Sequence, residues 1–318
     1  MTAFPGHPSF GQLLGNAQLS GPPRWIYVTR RFTTLLATLN ITSDQLEDGN
    51  RKLRGVIASL NRAYWDSDSE TDNGIPIGSW GKRTRVRPPR DIDVLFPLPA
   101  AVYHCFEQRS GNRQSQLLQE VKEHLEDTYP ATRMRGDGQV VLIPFNTYAV
   151  EVVPAFALTD GSYFVCDANG GGQYKSVYPH AELAALDAAD TAMNGNVRKL
   201  TRIMKQWQRY CDVPIKSFHI EALVKETLRR FDYGRKDEFW FDWLVRDVLA
   251  HLISRSNGTF VMPSSTEMVA LGNAWLSKAE TAYQRALKAC EYERANYNVL
   301  AGEEWQKIFG TAVPRMVT

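Results

Sequence analysis

Two aspartates separated by one residue, Asp91 and Asp93, are the strongest candidates for chemistry in this chain of 318 residues. They alternate with apolar residues in the segment DIDVLF. This pattern predicts a β-strand, in which side chains at i and i+2 point to the same face. Two neighbouring carboxylates repel each other unless a cation lies between them, and hard oxygen ligands suit Mg²⁺ or Mn²⁺. The pair therefore indicates a divalent-metal site, and a solvated strand face at a sheet edge is the alternative interpretation.

A glycine and a hydroxyl residue, Gly78 and Ser79, precede the aspartates, with Ser79 lying 12 residues before Asp91. A small residue followed by a hydroxyl at a strand-to-helix turn lets backbone N–H groups approach a phosphate closely. The chain carries a net charge of only +2, yet the stretch between this pair and Asp91 contains basic residues and no acidic one. The basic residues are Lys82, Arg83, Arg85, Arg87 and Arg90. This patch either contacts phosphates or is solvated.

A third carboxylate, Glu151, stands in the segment TYAVEVVP, where its neighbours are apolar. Burying that charge without a partner would be costly, so its surroundings need an explanation. In one interpretation Glu151 lies on the solvent face of an edge strand, opposite Val150 and Val152. In the other, it lies on a strand next to the two aspartates, where it completes a metal site and accepts a proton from an attacking hydroxyl.

A second basic element is predicted to be a helix over residues 196–210. Four cations recur at i, i+4, i+7 and i+11 on one face, and the apolar residues fall on the opposite face. The cations are Arg198, Arg202, Lys205 and Arg209. Because this segment contains no Asp or Glu, whereas solvated faces usually mix both signs of charge, a triphosphate clamp competes with the interpretation as a solvated helix face.

The elements that must position these residues fall into two halves. Residues 28–65 show helical periodicity, with a cap or a break near Thr42, and they precede predicted strands at 92–96, 139–144, 147–153 and 163–165 and a helix at 114–128. Beyond about residue 179, helices are predicted to the end, at 181–189, 196–210, 217–231, 238–254 and 264–297. We therefore expect an α+β fold: an N-terminal arm (1–27), a mixed-sheet core (28–185) and a C-terminal α-helical domain (186–318), with the active site in the cleft between core and helical domain.

Composition excludes several classes of protein. Hydrophobic residues make up 43% of the chain and charged residues 23%, which is ordinary for a globular protein. The four cysteines are far apart and show neither a zinc-ligand spacing nor a disulfide framework. No apolar run is long enough for a membrane span, and the N-terminus does not read as a signal peptide. We expect a cytoplasmic protein that does not contact a membrane.

The Gly-Ser pair, the D-x-D motif and the later carboxylate together resemble the core motif of the DNA polymerase β-like nucleotidyltransferases. More narrowly, the chain resembles the bacterial cGAS/DncV-like nucleotidyltransferases of cyclic-oligonucleotide antiphage defence (CBASS). The resemblance covers roughly residues 28–260. It rests on four segments in order: GSWGKRTRVRPPRDIDVLFPL, YAVEVVPAF, YFVCDANGGGQYKSVYP and VRKLTRIMKQWQRYCDVPIKSFHIEALV.

The resemblance implies a set of roles. Asp91, Asp93 and Glu151 would hold two Mg²⁺ (or Mn²⁺) ions and form the catalytic centre, although the family often has Asp at the third position. The expected nucleotide-binding residues are Gly78, Ser79, Lys205 and Ser217, with Arg202 on the basic face and Gln173 in a loop predicted at 167–178 as further candidates.

The implied function is synthesis of a cyclic di- or trinucleotide from ATP and other NTPs, with release of pyrophosphate. The product would act on a downstream effector, with no need for nucleic acid, and a CBASS accessory protein is a candidate partner. Two alternatives remain open: a nucleotidyltransferase that modifies RNA or protein, such as a tailing enzyme or toxin, and a non-catalytic nucleotide sensor. An inactive sensor would often have lost a carboxylate, and all three are present here.

Overall fold

The structure, a computed structural model, describes residues 25–262 and 267–318. Most of the predicted N-terminal arm, residues 1–24, lies outside the described residues. The helices are α1 Val28–Leu39, α2 Ser43–Trp65, α3 Gly78–Gly81, α4 Ala100–Glu107, α5 Arg113–Thr128, α6 Pro179–Ala192, α7 Asn196–Tyr210, α8 Ser217–Leu228, α9 Phe241–Ser254, α10 Leu276–Arg294 and α11 Asn298–Phe309. The strands are β1 Ile75–Pro76, β2 Asp91–Pro97, β3 Arg135–Asp137, β4 Val140–Pro144, β5 Ala149–Ala157, β6 Tyr163–Asp167, β7 Gln173–Val177, β8 Thr259–Val261 and β9 Met268–Ala270.

In the described part of the chain, β1 to β7 form one mixed sheet with β5 at its centre. The order is β1-β2-β5-β4-β3, and β6 and β7 continue the sheet beside the end of β5. Strands β2 and β5 run parallel, and their register places Asp91 beside Ala149 and Asp93 beside Glu151. Because neighbours across a ladder point to the same face, the three carboxylates share one side of the sheet. The α+β fold with a mixed-sheet core and a C-terminal helical domain is confirmed.

The N-terminal helical segment is two helices, and the predicted break near Thr42 is confirmed. The Thr42 side chain accepts a hydrogen bond from the backbone N–H of Gln45, and the Gln45 side-chain oxygen accepts one from the backbone N–H of Thr42. This capping box begins α2, while the extended backbone of Asn40 ends α1. The capped start of α2 at Thr42 therefore divides the segment into two helices.

These two helices join different hydrophobic cores. The apolar face of α2, including Leu53 and Ile57, packs with the sheet. The apolar face of α1, including Phe32 and Leu36, packs with the C-terminal helices instead. Although the predicted core of residues 28–185 includes α1, the buried stripe of this helix faces the helical half. The boundary near residue 185 itself stays a prediction.

The C-terminal half is helical with one interruption. The helix predicted over 264–297 begins only at Leu276, and the chain before it forms the antiparallel hairpin of β8 and β9. Residues 264–266 of that prediction lie outside the described residues. Residues Glu238–Trp240 form a 3₁₀ turn before α9, and α11 was not among the predicted helices. Among residues 25–262 and 267–318, no helix combines the length and the apolar character needed to cross a membrane.

Candidate active site

A cleft of 530 Å³ lies between the sheet and the C-terminal helices. Both halves contribute to its wall, as the fold prediction required. The lining residues include Gly78, Ser79, Lys82, Arg85, Arg90, Asp91, Asp93, Thr201, Lys205, Gln208, Arg209, Ser217 and Glu221. Of the nine residues expected to bind metal or nucleotide, six therefore meet in one cavity: Gly78, Ser79, Asp91, Asp93, Lys205 and Ser217.

The three carboxylates are brought together by the parallel pairing of β2 and β5. Glu151 is not part of the cavity lining, but it lies directly beside Asp93 on the next strand. Burial, followed by the negative charges of Asp93 and Asp91, raises the pKa of Glu151 to about 7. Burial and then the charge of Asp91 also raise the pKa of Asp93, although the positive charge of Lys205 opposes this shift. The shared face therefore concentrates negative charge that a bound cation would relieve.

This donor set fits a divalent metal by its chemistry. Carboxylate oxygens are the ligands that Mg²⁺ and Mn²⁺ prefer, and the mutual repulsion of three acidic groups would be offset by an ion between them. In the part of the chain that the structure describes, no three acidic, His or Cys side chains converge on one point as ion ligands.

Gly78 allows the Gly-Ser turn to approach the carboxylates closely. Its φ is +54°, and a Cβ atom at this position would lie 1.9 Å from Oδ2 of Asp93. No side chain fits there, and the backbone conformation also favours glycine. The backbone N–H of Ser79 donates a hydrogen bond to the Asp93 carboxylate, which lowers its pKa in opposition to burial. The Gly-Ser pair and the D-x-D motif are therefore one packed unit.

Two of the four cations on the predicted basic face of α7, Lys205 and Arg209, line the cleft. The Nζ of Lys205 lies 3.0 Å from the carbonyl oxygen of Thr84, and burial lowers the pKa of Lys205 to about 8. Arg209 lies one turn further along the same face. Ser217 begins α8, and its Oγ donates to Oε1 of Gln208 at 3.2 Å. Lys205 and Ser217 thus approach the same cavity from successive helices.

The other two cations of this face, Arg198 and Arg202, do not line the cleft and bond to neighbouring segments of the protein. Arg198 forms ion pairs with Asp187 and Asp190, and its Nε donates to the carbonyl oxygen of Lys82. Arg202 donates to the side-chain oxygen of Asn40 and is not part of the cleft lining. The structure therefore does not bring Arg202 to the predicted nucleotide site, because the helix turns its guanidinium towards the end of α1.

Gln173 is also placed away from the cleft. The prediction of a loop at 167–178 is wrong for its second half, because residues Gln173–Val177 form β7 and pair with β6. The Gln173 side chain donates to Asp167 at 3.4 Å, and Tyr174 stacks on Phe164. Neither residue lines the cavity, so the structure offers no support for base reading by Gln173.

A family model matches this chain. Residues 27–189, just over half of the sequence, match the Second Messenger Oligonucleotide or Dinucleotide Synthetase (SMODS) domain. The chain belongs to the SMODS family. The activity that this family description names, synthesis of second-messenger oligonucleotides or dinucleotides, agrees with what the resemblance of the motifs predicted. The alternative, a tailing enzyme or toxin that modifies RNA or protein, finds no support in the comparisons.

Curated relatives of the SMODS synthase carry related descriptions. A probable cyclic nucleotide synthase of Bacillus cereus (strain VD146) is 22% identical over 274 residues, which cover 76% of this chain and 82% of the relative. The CBASS oligonucleotide cyclase CdnC of Escherichia coli (strain KTE188) is 24% identical over 202 residues. That match covers 60% of this chain and 62% of CdnC, less than two thirds of its length.

Solved structures share the fold of the SMODS synthase. A mutant of the Vibrio cholerae di-nucleotide cyclase DncV superposes with a TM-score of 0.70 at 14% identity, covering 90% of this chain and 95% of DncV. CdnC of E. coli MS115-1, solved in a complex with HORMA-deltaN, superposes with a TM-score of 0.65 at 17% identity, covering 90% and 98%. The likeness therefore extends through the helical half, beyond the residues that the family model matches.

Sequence reasoning missed that two charged residues, Lys82 and Glu221, meet at the cleft. Lys82 lies between Glu221, at 3.4 Å, and Glu182, at 3.5 Å. Lys82 was visible as part of the basic patch, and Glu221 follows Ser217 by four residues, which places both on one face of α8. The ion pairs join the Gly-Ser turn to the helical half, and this contact between distant segments could not be predicted from spacing alone.

Proposed function

We propose that this SMODS synthase joins NTPs into a cyclic di- or trinucleotide by two-metal nucleotidyl transfer in the cleft. The observation that supports this proposal most directly is the register of β2 and β5, which sets Glu151 beside Asp93 on the face that carries Asp91. That face adjoins the Gly-Ser turn and lies across the cleft from Lys205 and Ser217. A donor triphosphate therefore finds carboxylates, backbone N–H groups and a cation around one cavity.

The residues divide the binding of the donor NTP between them. The turn at Gly78 and Ser79 offers backbone N–H groups and a hydroxyl to the phosphates. Lys205 contributes a positive charge to the triphosphate tail, and Ser217 contributes a hydroxyl. Asp91, Asp93 and Glu151 would hold two Mg²⁺ or Mn²⁺ ions. When bound there, the ions would neutralise the phosphates of the donor and lower the pKa of the attacking hydroxyl.

Bond formation needs a proton acceptor next to the acceptor nucleotide. We assign this role to Glu151, whose carboxylate lies beside Asp93 on the shared face of the sheet. The ribose hydroxyl oxygen of the acceptor bonds to the α-phosphorus of the donor as its proton passes to Glu151. The bond between the α-phosphorus and the bridging oxygen breaks, and pyrophosphate leaves. A second transfer on the linear intermediate closes the ring.

The partners follow from the chemistry and from the relatives. The cyclic product carries the signal to a downstream effector, and the reaction occurs in the cytoplasm, where NTPs are available. The E. coli MS115-1 CdnC was solved with a HORMA protein, and this supports an accessory protein as a further partner here. No described feature of the chain requires nucleic acid or a membrane for the transfer itself.

The proposal is tested by incubating the purified protein with all four radiolabelled NTPs and Mg²⁺ or Mn²⁺. We expect a nucleotide product that resists phosphatase, because a cyclic product has no terminal phosphate. Label that remained phosphatase-sensitive in a linear oligonucleotide would contradict ring closure. Label attached to added RNA or to protein would favour the alternative function.

Lys205→Ala is expected to raise the KM for NTP roughly tenfold or more, because a charge-assisted hydrogen bond to the triphosphate is lost. The tail is held in both ground and transition states, so kcat should change less than KM. Since the pKa of Lys205 is about 8, the KM of the parent enzyme should also rise as the pH passes that value. Steady-state kinetics between pH 7 and pH 9 measures both effects.

Two further variants calibrate this result. Arg209→Ala should raise the KM for NTP less than Lys205→Ala does, because Arg209 lies one turn further along α7. Ser217→Ala should act in the same direction as Lys205→Ala but weakly, since a neutral hydroxyl bond contributes only about 0.5–1.5 kcal/mol. Equal effects of Lys205→Ala and Arg209→Ala would indicate a diffuse electrostatic patch and contradict a specific contact.

A further inference from the structure

A single residue, Lys82, is bonded to three successive helices that follow the sheet. It comes directly after the Gly-Ser turn, and its backbone N–H donates to the carbonyl oxygen of Gly78 at 3.1 Å. Its Nζ lies 3.5 Å from Oε2 of Glu182 on α6 and 3.4 Å from Oε1 of Glu221 on α8. Its carbonyl oxygen accepts a hydrogen bond of 2.9 Å from Nε of Arg198 on α7. The end of the Gly-Ser turn is therefore tied to α6, α7 and α8 at one point.

The arginine that binds the Lys82 carbonyl is itself held in place by α6. Nη1 of Arg198 forms an ion pair of 2.8 Å with Asp190, and Nη2 forms another with Asp187. The backbone N–H of Arg198, in the first turn of α7, also donates to Asp190 at 2.9 Å. Because a guanidinium is planar and rigid, these ion pairs set the direction of the Nε–H bond. The helices thereby fix the position of the Lys82 carbonyl.

The side chain of Lys82 is shielded from solvent and neutralised by its neighbours. It is 18% exposed, and the carboxylates of Glu221 and Glu182 are 10% and 26% exposed. Lys225, one turn further along α8, lies 3.5 Å from the same oxygen of Glu221, so two lysines balance two carboxylates. Partly buried pairs are screened less than surface pairs, and loss of one partner leaves an uncompensated charge. Lys82 therefore suits a bond between segments better than a phosphate contact, even though it lines the cleft.

The bonds of Lys82 do not compete with a bound nucleotide. Another bond across the cleft runs from Nζ of Lys205 to the carbonyl oxygen of Thr84 at 3.0 Å, and it uses a donor that the proposed function assigns to the triphosphate. Neither Lys82 nor its partners on α6, α7 and α8 have such an assignment. The contacts of Lys82 can therefore persist when the cleft is filled.

We infer that Lys82 is a positioning residue for nucleotidyl transfer. Its bonds to the three helices keep the Gly-Ser turn in register with Lys205 and Ser217 on the opposite wall of the cleft. This inference deepens the proposed function and rests on it for the reaction concerned. Transfer requires that both walls hold the phosphates at once, and a misplacement of about 1 Å can lower a rate about a hundredfold. Lys82 acts here through the turn and not by touching the substrate.

The first test compares kcat and KM of variants at position 82. Lys82→Met removes the charge and keeps the apolar stem, so kcat should fall about tenfold or more, while KM changes less than about threefold because each wall still binds the tail. Lys82→Arg should restore most of kcat, since a guanidinium can bond to both carboxylates. Lys199→Met is the matched control, because Lys199 pairs with Glu238 at 2.7 Å away from the cleft lining, and its kcat should stay within about twofold of the parent.

A variant of the carboxylate partner separates positioning from direct phosphate binding. Glu182 does not line the cleft. If Lys82 positions the turn, Glu182→Gln should lower kcat as Lys82→Met does, and the double variant should lose less than the product of the two separate losses. If Lys82 bound phosphate directly, Glu182→Gln would free its charge and lower KM instead. That result, or a tenfold rise of KM at unchanged kcat in Lys82→Met, would overturn the inference.

Amide hydrogen exchange of the full-length protein without nucleotide tests the inference independently of turnover. Lys82→Met should speed exchange of residues 78–84 about tenfold and leave β5 unchanged, whereas Lys199→Met should alter neither. Unchanged exchange at 78–84 in Lys82→Met would overturn the inference whatever the activity. If exchange rises as expected but the parent forms no nucleotide product, the positioning of the turn by Lys82 is supported and the proposed function is wrong.

Discussion

Replacing Asp91 and Asp93 together with asparagine is expected to abolish nucleotide product while the protein stays folded. The two carboxylates share one strand face with Glu151 beside them, and amide groups cannot supply the negative charge that holds a divalent ion. Stabilisation of transition-state charge by metal ions amounts to several kcal/mol, so we expect activity to fall by about a thousandfold or more. Product formation from labelled NTPs measures this change.

The same double variant should keep or raise the melting temperature of the metal-free protein. The pKa of Asp93 is raised by burial and by Asp91, which means that the charged form is disfavoured in the folded state. Removing both charges relieves this cost. Asp68→Asn is a suitable control, because Asp68 is highly exposed and pairs only with the exposed Arg62 among the described residues. Substantial turnover by the folded double variant would falsify the metal-site assignment.

Glu151→Gln is expected to lower product formation by orders of magnitude, whereas Glu151→Asp should keep part of the activity. Glutamine is nearly isosteric but can neither accept the proton nor supply the third negative charge. Aspartate keeps the carboxylate but is one methylene shorter. Rotation of the neighbouring side chains can make up part of this difference. Single-turnover measurements at saturating NTP compare the chemical step of the three proteins. Parental activity in Glu151→Gln would make Glu151 a bystander.

The pH dependence of the stability of the metal-free protein should show the burial of Glu151 independently of activity. The pKa of Glu151 is about 7 when folded and near 4.5 when exposed. Between these values the folded state binds more protons than the unfolded state, so stability should fall as the pH rises from about 4.5 to about 7. Glu151→Gln should lack this contribution. Melting curves in the presence of a chelator test the difference, and identical pH profiles of parent and variant would contradict the assigned burial.

The sequence by itself predicted those features that depend only on residues close together in the chain. Asp91 and Asp93 share a face because strand side chains alternate, and this holds wherever the strand lies. At position 78 the positive φ favours glycine locally, and the close approach of Asp93, which only the fold produces, excludes any side chain. The capping box at Thr42 and Gln45 is a short-range pattern of the same kind. Such features follow from nearest neighbours, so the prediction of the motif and of the helix break succeeded.

Only the tertiary structure decided which charges meet. Glu151 is 58 residues beyond Asp93 in the chain, and its place beside it depends on the pairing of β5 with β2. The helical pattern puts Arg198, Arg202, Lys205 and Arg209 on one face. Of these four, only Lys205 and Arg209 line the cleft, because Arg198 and Arg202 bond to neighbouring segments instead.

The packing partners of α1 and of the segment around Gln173 also could not be predicted from the sequence. Periodicity identifies a buried helix face or a strand, but it contains no information about which partner will cover that face. The stripe of α1 is covered by the C-terminal helices, and the segment of Gln173 pairs with β6. Such choices depend on the free energy of packing summed over the whole chain, in which residues far apart in sequence contribute together. The sequence therefore determined which chemical groups the site contains, and the tertiary structure determined which of them lie next to each other.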